Sequence, residues 1–181
     1  MTLRLILTRH AKSDWTDPLA GDHARSLNKR GQGAAPRLGA WLAAQGHVPD
    51  LALVSDARRT RETWALIAPA LPREVPVRFL SALYCAGPEQ IRRCLATADA
   101  ATVMVIAHNP GIADLAAALP GQRPAHPDFA RYPTGATLVA EFDAADWPSL
   151  RAGSGRVVDF VVPRELDEAG QPAPRSTAPA R

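Results

Sequence analysis

The sequence predicts a single α/β domain, a layered fold with a mostly parallel central sheet and helices on both faces. The first observation behind this is a set of short, continuous apolar runs, Leu3–Leu7, Leu51–Val54 and Thr102–Ala107. Runs of this kind suit strands that are covered on both faces. The second is that each run gives way to helical spacing, so that strands and helices alternate and right-handed crossovers follow. The third is size: 181 residues allow one substantial core and not two full-sized domains.

Taken in order, the strand Leu3–Leu7 is followed by "NKRGQGAAPRLGAWLAAQG", which puts Leu38, Trp41 and Leu42 on one helical face, with Gly46 as the stop. Leu51–Val54 runs through "SDARRTRET" into a helix that the prolines around Pro72 close. Arg78–Leu80 is a further strand, and "PEQIRRCLATA" is a helix with Pro88 near its first position, where a missing N–H costs little. Thr102–Ala107 leads through "HNPG" into the helix "GIADLAAALPG". Gly135–Phe142 and Arg156–Val162 are expected to pair as a hairpin at one sheet edge. The predicted domain spans residues 1–166. From Asp167 onward "DEAGQPAPRSTAPAR" has no apolar period, which predicts a disordered C-terminal tail over 167–181.

Composition narrows the function classes. A 46% hydrophobic and 22% charged chain is an ordinary globular one. The net charge of +3 comes from arginines spread along the chain, whereas a nucleic-acid footprint would be a concentrated stripe, so no nucleic-acid partner is expected. Dispersed arginine suits the clamping of a small anion, because its planar fork matches phosphate oxygens two at a time. Cys85 and Cys94 are too few and wrongly spaced for a zinc site or a disulfide framework, and no metal or cofactor is expected. With no secretory h-region and no apolar run long enough to span a bilayer, the expected location is cytoplasmic, without a membrane partner.

The chemistry should lie outside the carboxyl ends of the parallel strands, where ligands of such sheets collect. Those corners carry Arg9 and His10, Arg58 and Arg59, and His108. A permanent cation beside a titratable imidazole is electrostatically awkward unless something anionic sits there. Two imidazoles and at least two guanidinium groups converging on one spot describe an oxyanion site with a nucleophile in it.

"LTRHAKSDW", with the later "SDARRTRET" and "AHNPGIADLA", resembles the histidine phosphatase superfamily, the phosphoglycerate-mutase-like enzymes, and most closely their small SixA-type protein phosphohistidine phosphatase branch. "RSLNKRG", Leu83–Tyr84, "YPTGA" and "VVPREL" extend the similarity from Leu3 to Leu166. The resemblance implies a phosphoglycerate-mutase-like fold, with His10 as the nucleophile that becomes phosphorylated and Arg9 binding phosphate beside it. It selects Arg59, between Ser55 and Thr63, as the second arginine, with Arg58 as its neighbour, and gives His108 the part of the second pocket histidine. Lys12, Ser13, Arg58 and Arg30 are candidate substrate contacts. Arg25 and Arg30 either line the entrance or brace the following helix. Asp56 stands where a proline often follows the serine, and its charge is expected to weaken binding of a highly anionic substrate. His23, His47 and His126 are expected on the surface or in structural roles, Arg61 in solvent, and Trp15, Trp41 and Trp64 in packing.

Superfamily members that cleave phosphate esters generally carry a carboxylic acid to protonate the departing alkoxide. The stretch "FLSALYCAGPEQ" holds none before Glu89, which reads better as a favourable charge at a helix N-terminus; Asp14 is the other candidate. Phosphohistidine relaxes the requirement, since its leaving group is an imidazole with a reference pKa of about 6.5. The lack of long insertions predicts a shallow site open to a protein-borne phosphate. To attack, His10 must be neutral, and the neighbouring arginines should lower its pKa. The expectation is a metal-independent phosphatase working through phospho-His10 on a phosphorylated signalling protein. A small phosphorylated metabolite as substrate, or a non-catalytic phosphate-binding domain, are the alternatives.

Overall fold

In the computed structural model, which describes residues 2–16, 19 and 21–172, one sheet is built from β1 (Thr2–Arg9), β2 (Leu51–Ser55), β3 (Val77–Leu80), β4 (Thr102–Ala107), β5 (Thr137–Asp143) and β6 (Arg156–Val161). The strand order is β3-β2-β4-β1-β5-β6. The first four in that order run parallel, β5 is antiparallel to β1, and β6 pairs antiparallel with β5 at the edge. The mostly parallel sheet and the edge pair are those expected from the sequence.

Strand alternation divides the apolar side chains between the two faces. Ile6, Val54, Met104 and Ile106 face α1 (Lys29–Ala44) and α2 (Arg58–Ile67), where they meet Leu38, Trp41, Leu42 and Ile67. Leu5, Leu7, Leu53, Val103 and Val105 face α3 (Pro88–Leu95) and α4 (Gly111–Ala118), against Ile91, Leu95, Ile112 and Leu115. Each such side chain, fully buried, contributes about 1.5–3 kcal/mol. The sheet is therefore rigid behind its carboxyl edge.

Tyr132 ties the two halves of the sheet together. Its ring is fully buried, its hydroxyl donates to the Leu7 carbonyl at 2.8 Å, and the Leu138 amide donates to that hydroxyl at 3.2 Å. Its own backbone is left-handed, with φ +42°, which costs of order 1 kcal/mol for a non-glycine residue.

The predicted tail needs correcting in its first part. Asp167 Oδ1 accepts from the amides of Ala169 and Gln171, and Leu166 bridges to Pro172. Gly170, at φ +73°, lies so close to α1 that a Cβ there would fall 2.4 Å from the Trp41 nitrogen. This turn is held by hydrogen bonds to the Asp167 carboxylate and packs by close backbone approach, not by apolar side chains, which is why apolar periodicity does not register it. Residues 173–181 lie outside the described residues. Among the described residues, no helix is long and apolar enough to cross a membrane.

Candidate active site

Because β2, β4 and β1 are neighbours, their carboxyl ends deliver Ser55, His108 and the Arg9–His10 pair to one place, and α2 adds Arg59 from its first turn. The rings of His10 and His108 are 5.2 Å apart. His10 Nδ1 lies 2.7 Å from the Ala11 carbonyl oxygen, which can only accept. Nδ1 therefore carries the proton, and the lone pair of the neutral ring is on Nε2. At His108 the order is reversed: Arg59 Nη2 donates to Nδ1 at 3.1 Å, so the proton sits on Nε2 and is donated to Ser55 Oγ at 2.8 Å.

Both imidazoles are held neutral. Burial, followed by the charges of Arg59 and Arg9, lowers the His10 pKa to about 4. Burial, followed by His10 and Arg59, lowers that of His108 to about 3. Desolvation, and not the arginines expected from the sequence, is the larger cause.

Arg9 Nη1 donates to the Tyr132 carbonyl at 3.0 Å, and Asn109 Nδ2 donates to the same oxygen at 3.1 Å. Arg9 Nε is buried without a hydrogen-bond partner, as are Nε and Nη1 of Arg25. A buried donor left unpaired costs about 1–3 kcal/mol; Arg9 Nε, next to His10 in the chain, is one that an anion there would satisfy, whereas Arg25 Nη1 stands 3.6 Å from Asp22 Oδ1. The Arg25 guanidinium also lies 3.5 Å above the Trp15 ring, whose 67% exposure corrects the expectation that Trp15 serves in packing. Trp41 and Trp64 are buried as expected.

The residue that sequence reasoning missed is Asp22. Its backbone carbonyl accepts from Arg59 Nη1 at 2.6 Å, and its Oδ2 accepts from Arg59 Nη2 at 3.0 Å and from the Tyr84 hydroxyl at 2.7 Å. The Tyr84 hydrogen bond, then Arg59, holds the Asp22 carboxyl below its usual range, and the same bond pushes Tyr84 up to about 12. Asp22 sits in a single turn, Asp22–Ala24, with no periodicity or motif to mark it; its only sequence signal is its position three residues before Arg25. Glu89 and Asp14, the carboxylates expected as candidate acids, stand elsewhere. The Glu89 side chain is 73% exposed beside Arg92 at the start of α3, and Asp14 accepts from the amide and hydroxyl of Thr16.

From the segment between β1 and α1, Asp22 reaches Arg59, the arginine beside the two imidazoles. With Asp22 hydrogen-bonded to Arg59, His10 is 7% exposed and His108 3%. Of the candidate substrate contacts, Lys12 and Arg30 are exposed and line a groove of about 410 Å³ beside the pocket. Arg58 turns outward onto Glu62 at 2.7 Å, while its neighbour Arg59 turns inward. Ser13 is buried on a short backbone bridge to Leu27. Asp56, expected to repel an anionic substrate, is bonded to His23 Nε2 at 2.9 Å. His126 is bonded to Glu165 at 2.8 Å, and His47 is buried beside Trp41.

Comparison with known proteins places the chain as a whole in a family. Residues 5–84 match the model of the histidine phosphatase superfamily (branch 1). An uncharacterised Mycobacterium tuberculosis protein, Rv1276c, is 33% identical over 165 residues, covering 86% of this chain and 99% of its own length. An uncharacterised chloroplastic protein of Arabidopsis thaliana is 35% identical over 129 residues; that match spans 65% of this chain and 59% of the relative. Among solved structures, that of the putative phosphohistidine phosphatase SixA from Nakamurella multipartita superposes with a TM-score of 0.73 at 28% identity, covering 90% of this chain and 97% of the other. The shared sheet, the matched motifs and the similarity along nearly the whole chain make it a phosphatase of the histidine phosphatase superfamily, in the SixA-type branch.

Proposed function

We propose that the enzyme transfers a phosphoryl group to His10 Nε2 and from there to water, and that its substrate is phosphohistidine on a protein. The observation that carries this reading is the protonation pattern: a neutral His10 with its Nε2 lone pair free, beside Arg9 and Arg59. A phosphoryl group in transfer spreads its charge over three equatorial oxygens, so positioning and charge stabilisation do most of the work. The fixed charges of Arg9 and Arg59, the latter held by Asp22 and His108, supply both, and the reaction needs no metal. His10 Nε2 attacks phosphorus, the substrate P–N bond breaks, and the departing imidazole nitrogen takes a proton from solvent. Water then attacks phospho-His10, the Nε2–P bond breaks, and phosphate leaves. His108, through Nδ1, keeps Arg59 in place.

The substrate class follows from the state of Asp22. A carboxylate held ionised by Tyr84 and Arg59 has no proton to give to an alkoxide, whereas an imidazole departs without that help. The resemblance to a putative phosphohistidine phosphatase supports the same choice. One observation favours the second reading, a small phosphorylated metabolite: the burial of His10 and His108, since enclosure suits a small substrate.

The test is phosphate release, with a chelator present, from a phosphohistidine-bearing protein and from an alkyl phosphate, comparing wild type with His10→Ala. Release from the phosphohistidine alone, lost in the variant, is the expected result. Preference for the alkyl phosphate would transfer the assignment to the metabolite reading. Phosphate binding without turnover in wild type would make the chain a binding domain.

A further inference from the structure

Beside the pocket runs a second feature that the phosphoryl-transfer chemistry leaves unused. The groove of about 410 Å³ has one wall on α1, where Arg30, Ala34 and Arg37 follow one another at helical spacing along the same face. Arg131 and Arg164 stand on the other wall, Lys12 lies at the end nearest the nucleophile, and Val162 and Pro163 contribute an apolar lining.

The charge in this groove is unbalanced. Arg164 is paired with the buried Asp128, and Arg37 donates to the carbonyls of Gly33 and Leu166. Lys12, Arg30 and Arg131 have no carboxylate partner among the described residues. The groove's lining is also tied through the backbone to the segments that carry the catalytic residues. Lys12 is two residues beyond His10; Pro133 and Thr134 in the lining precede Gly135, whose amide donates to the carbonyls of Arg9 and His10. The Arg131 and Tyr132 carbonyls are both held by Asn109, next to His108.

We propose that this groove docks an acidic segment of the phosphoprotein next to its phosphohistidine, a proposal that rests on the phosphohistidine reading above. Cations spread along two exposed walls, with an apolar lining between them, match a peptide in which acidic and apolar residues alternate. A bare phosphate would need donors converging on one buried point. A single-stranded nucleic acid would need rings on which to stack its bases, and none lines the groove. Opposed charge along the groove favours encounter and register, and weakens with salt.

The test has a binding arm and a turnover arm, with Arg131→Glu on one wall and Arg30→Glu on the other; both side chains are exposed. Arg164 is left alone, because its removal would strand Asp128. In the binding arm, a labelled unphosphorylated peptide alternating Glu and Leu is expected to bind wild type, and to lose about tenfold in affinity in each variant that retains the wild-type melting profile. Unchanged affinity in both variants overturns the proposal, and so does tighter, Arg131-dependent binding of oligouridine. In the turnover arm, phosphohistidine peptides with acidic and neutral flanks are compared. The acidic-over-neutral ratio of kcat/KM should fall about tenfold in the variants, through KM. If wild type turns over both peptides equally, docking fails and the catalytic reading stands. If it turns over neither while peptide binding still depends on Arg131, the catalytic reading fails and the acidic-peptide site stands.

Discussion

Asp22 receives hydrogen bonds from Tyr84 and Arg59, which hold its carboxyl below the usual range and keep it ionised. Its carboxylate steadies Arg59 and opposes, in part, the pressure of the two arginines on both imidazoles. Replacing it by Asn keeps the shape and removes the charge. A general acid would lose about 10²–10⁴-fold in rate on such a change. The expected outcome for Asp22→Asn is instead retention of phosphohistidine turnover to within about tenfold, with the Tyr84 pKa falling from about 12 toward its ordinary value as its acceptor loses charge. Tyrosine absorbance against pH and steady-state turnover are the two measurements. A rate loss of several hundredfold would make Asp22 the acid after all and would undercut the assignment of a phosphoramidate substrate. His10 was legible at this scale because a sequence motif marks it. Asp22 was not, because its role is created by contacts with Arg59 and Tyr84, which lie 37 and 62 residues away.

The elements transmit position to these side chains, and α1 does so at one close approach. Asn28 caps α1 by accepting from the Gly31 amide at 3.0 Å, and the Asn28 amide donates to the Lys12 carbonyl at 3.0 Å. The first turn is thereby docked on the strand exit that carries His10. A Cβ on Gly31 would stand 2.3 Å from the Lys12 carbonyl oxygen and 2.9 Å from its nitrogen, both backbone atoms that cannot rotate aside. Gly31→Ala should therefore cost about 1–3 kcal/mol of stability by forcing α1 outward. It should also lower kcat/KM, since a misplacement of about 1 Å at a reacting group can cost as much as 10²-fold. A denaturant midpoint and turnover with the same substrate check the two effects, and an unchanged midpoint would mean that α1 does not pack this closely. Strands and helices were readable from the sequence because burial on two faces imposes an apolar pattern. The Gly31 contact, like the docking of Gly170 on α1, is an encounter of backbone with backbone and leaves only a glycine as its trace.

For the whole molecule, the strand order brings three chain-distant corners together at the carboxyl edge, and folding buries two imidazoles in a pocket that already holds two guanidinium groups. That arrangement makes stability depend on pH in a calculable direction. In the unfolded chain both histidines titrate near 6.5, whereas in the folded protein they titrate at about 4 and about 3. Between these values the unfolded state binds the extra protons, so the folded state is favoured fully above pH 6.5 and loses stability as the pH falls toward 4. The slope contributed by each imidazole is roughly 1 kcal/mol per pH unit, enough to lower the melting temperature by several degrees for each unit of acidification. The comparison that isolates the effect is wild type against the double variant His10→Asn, His108→Asn, which keeps polar side chains of similar reach but cannot gain the protons. Calorimetric melting from pH 7 to pH 4.5 should show the wild type falling more steeply than the double variant. Parallel curves would mean that the two imidazoles are not held neutral by folding, and the free lone pair assigned to His10 Nε2 would then need another origin.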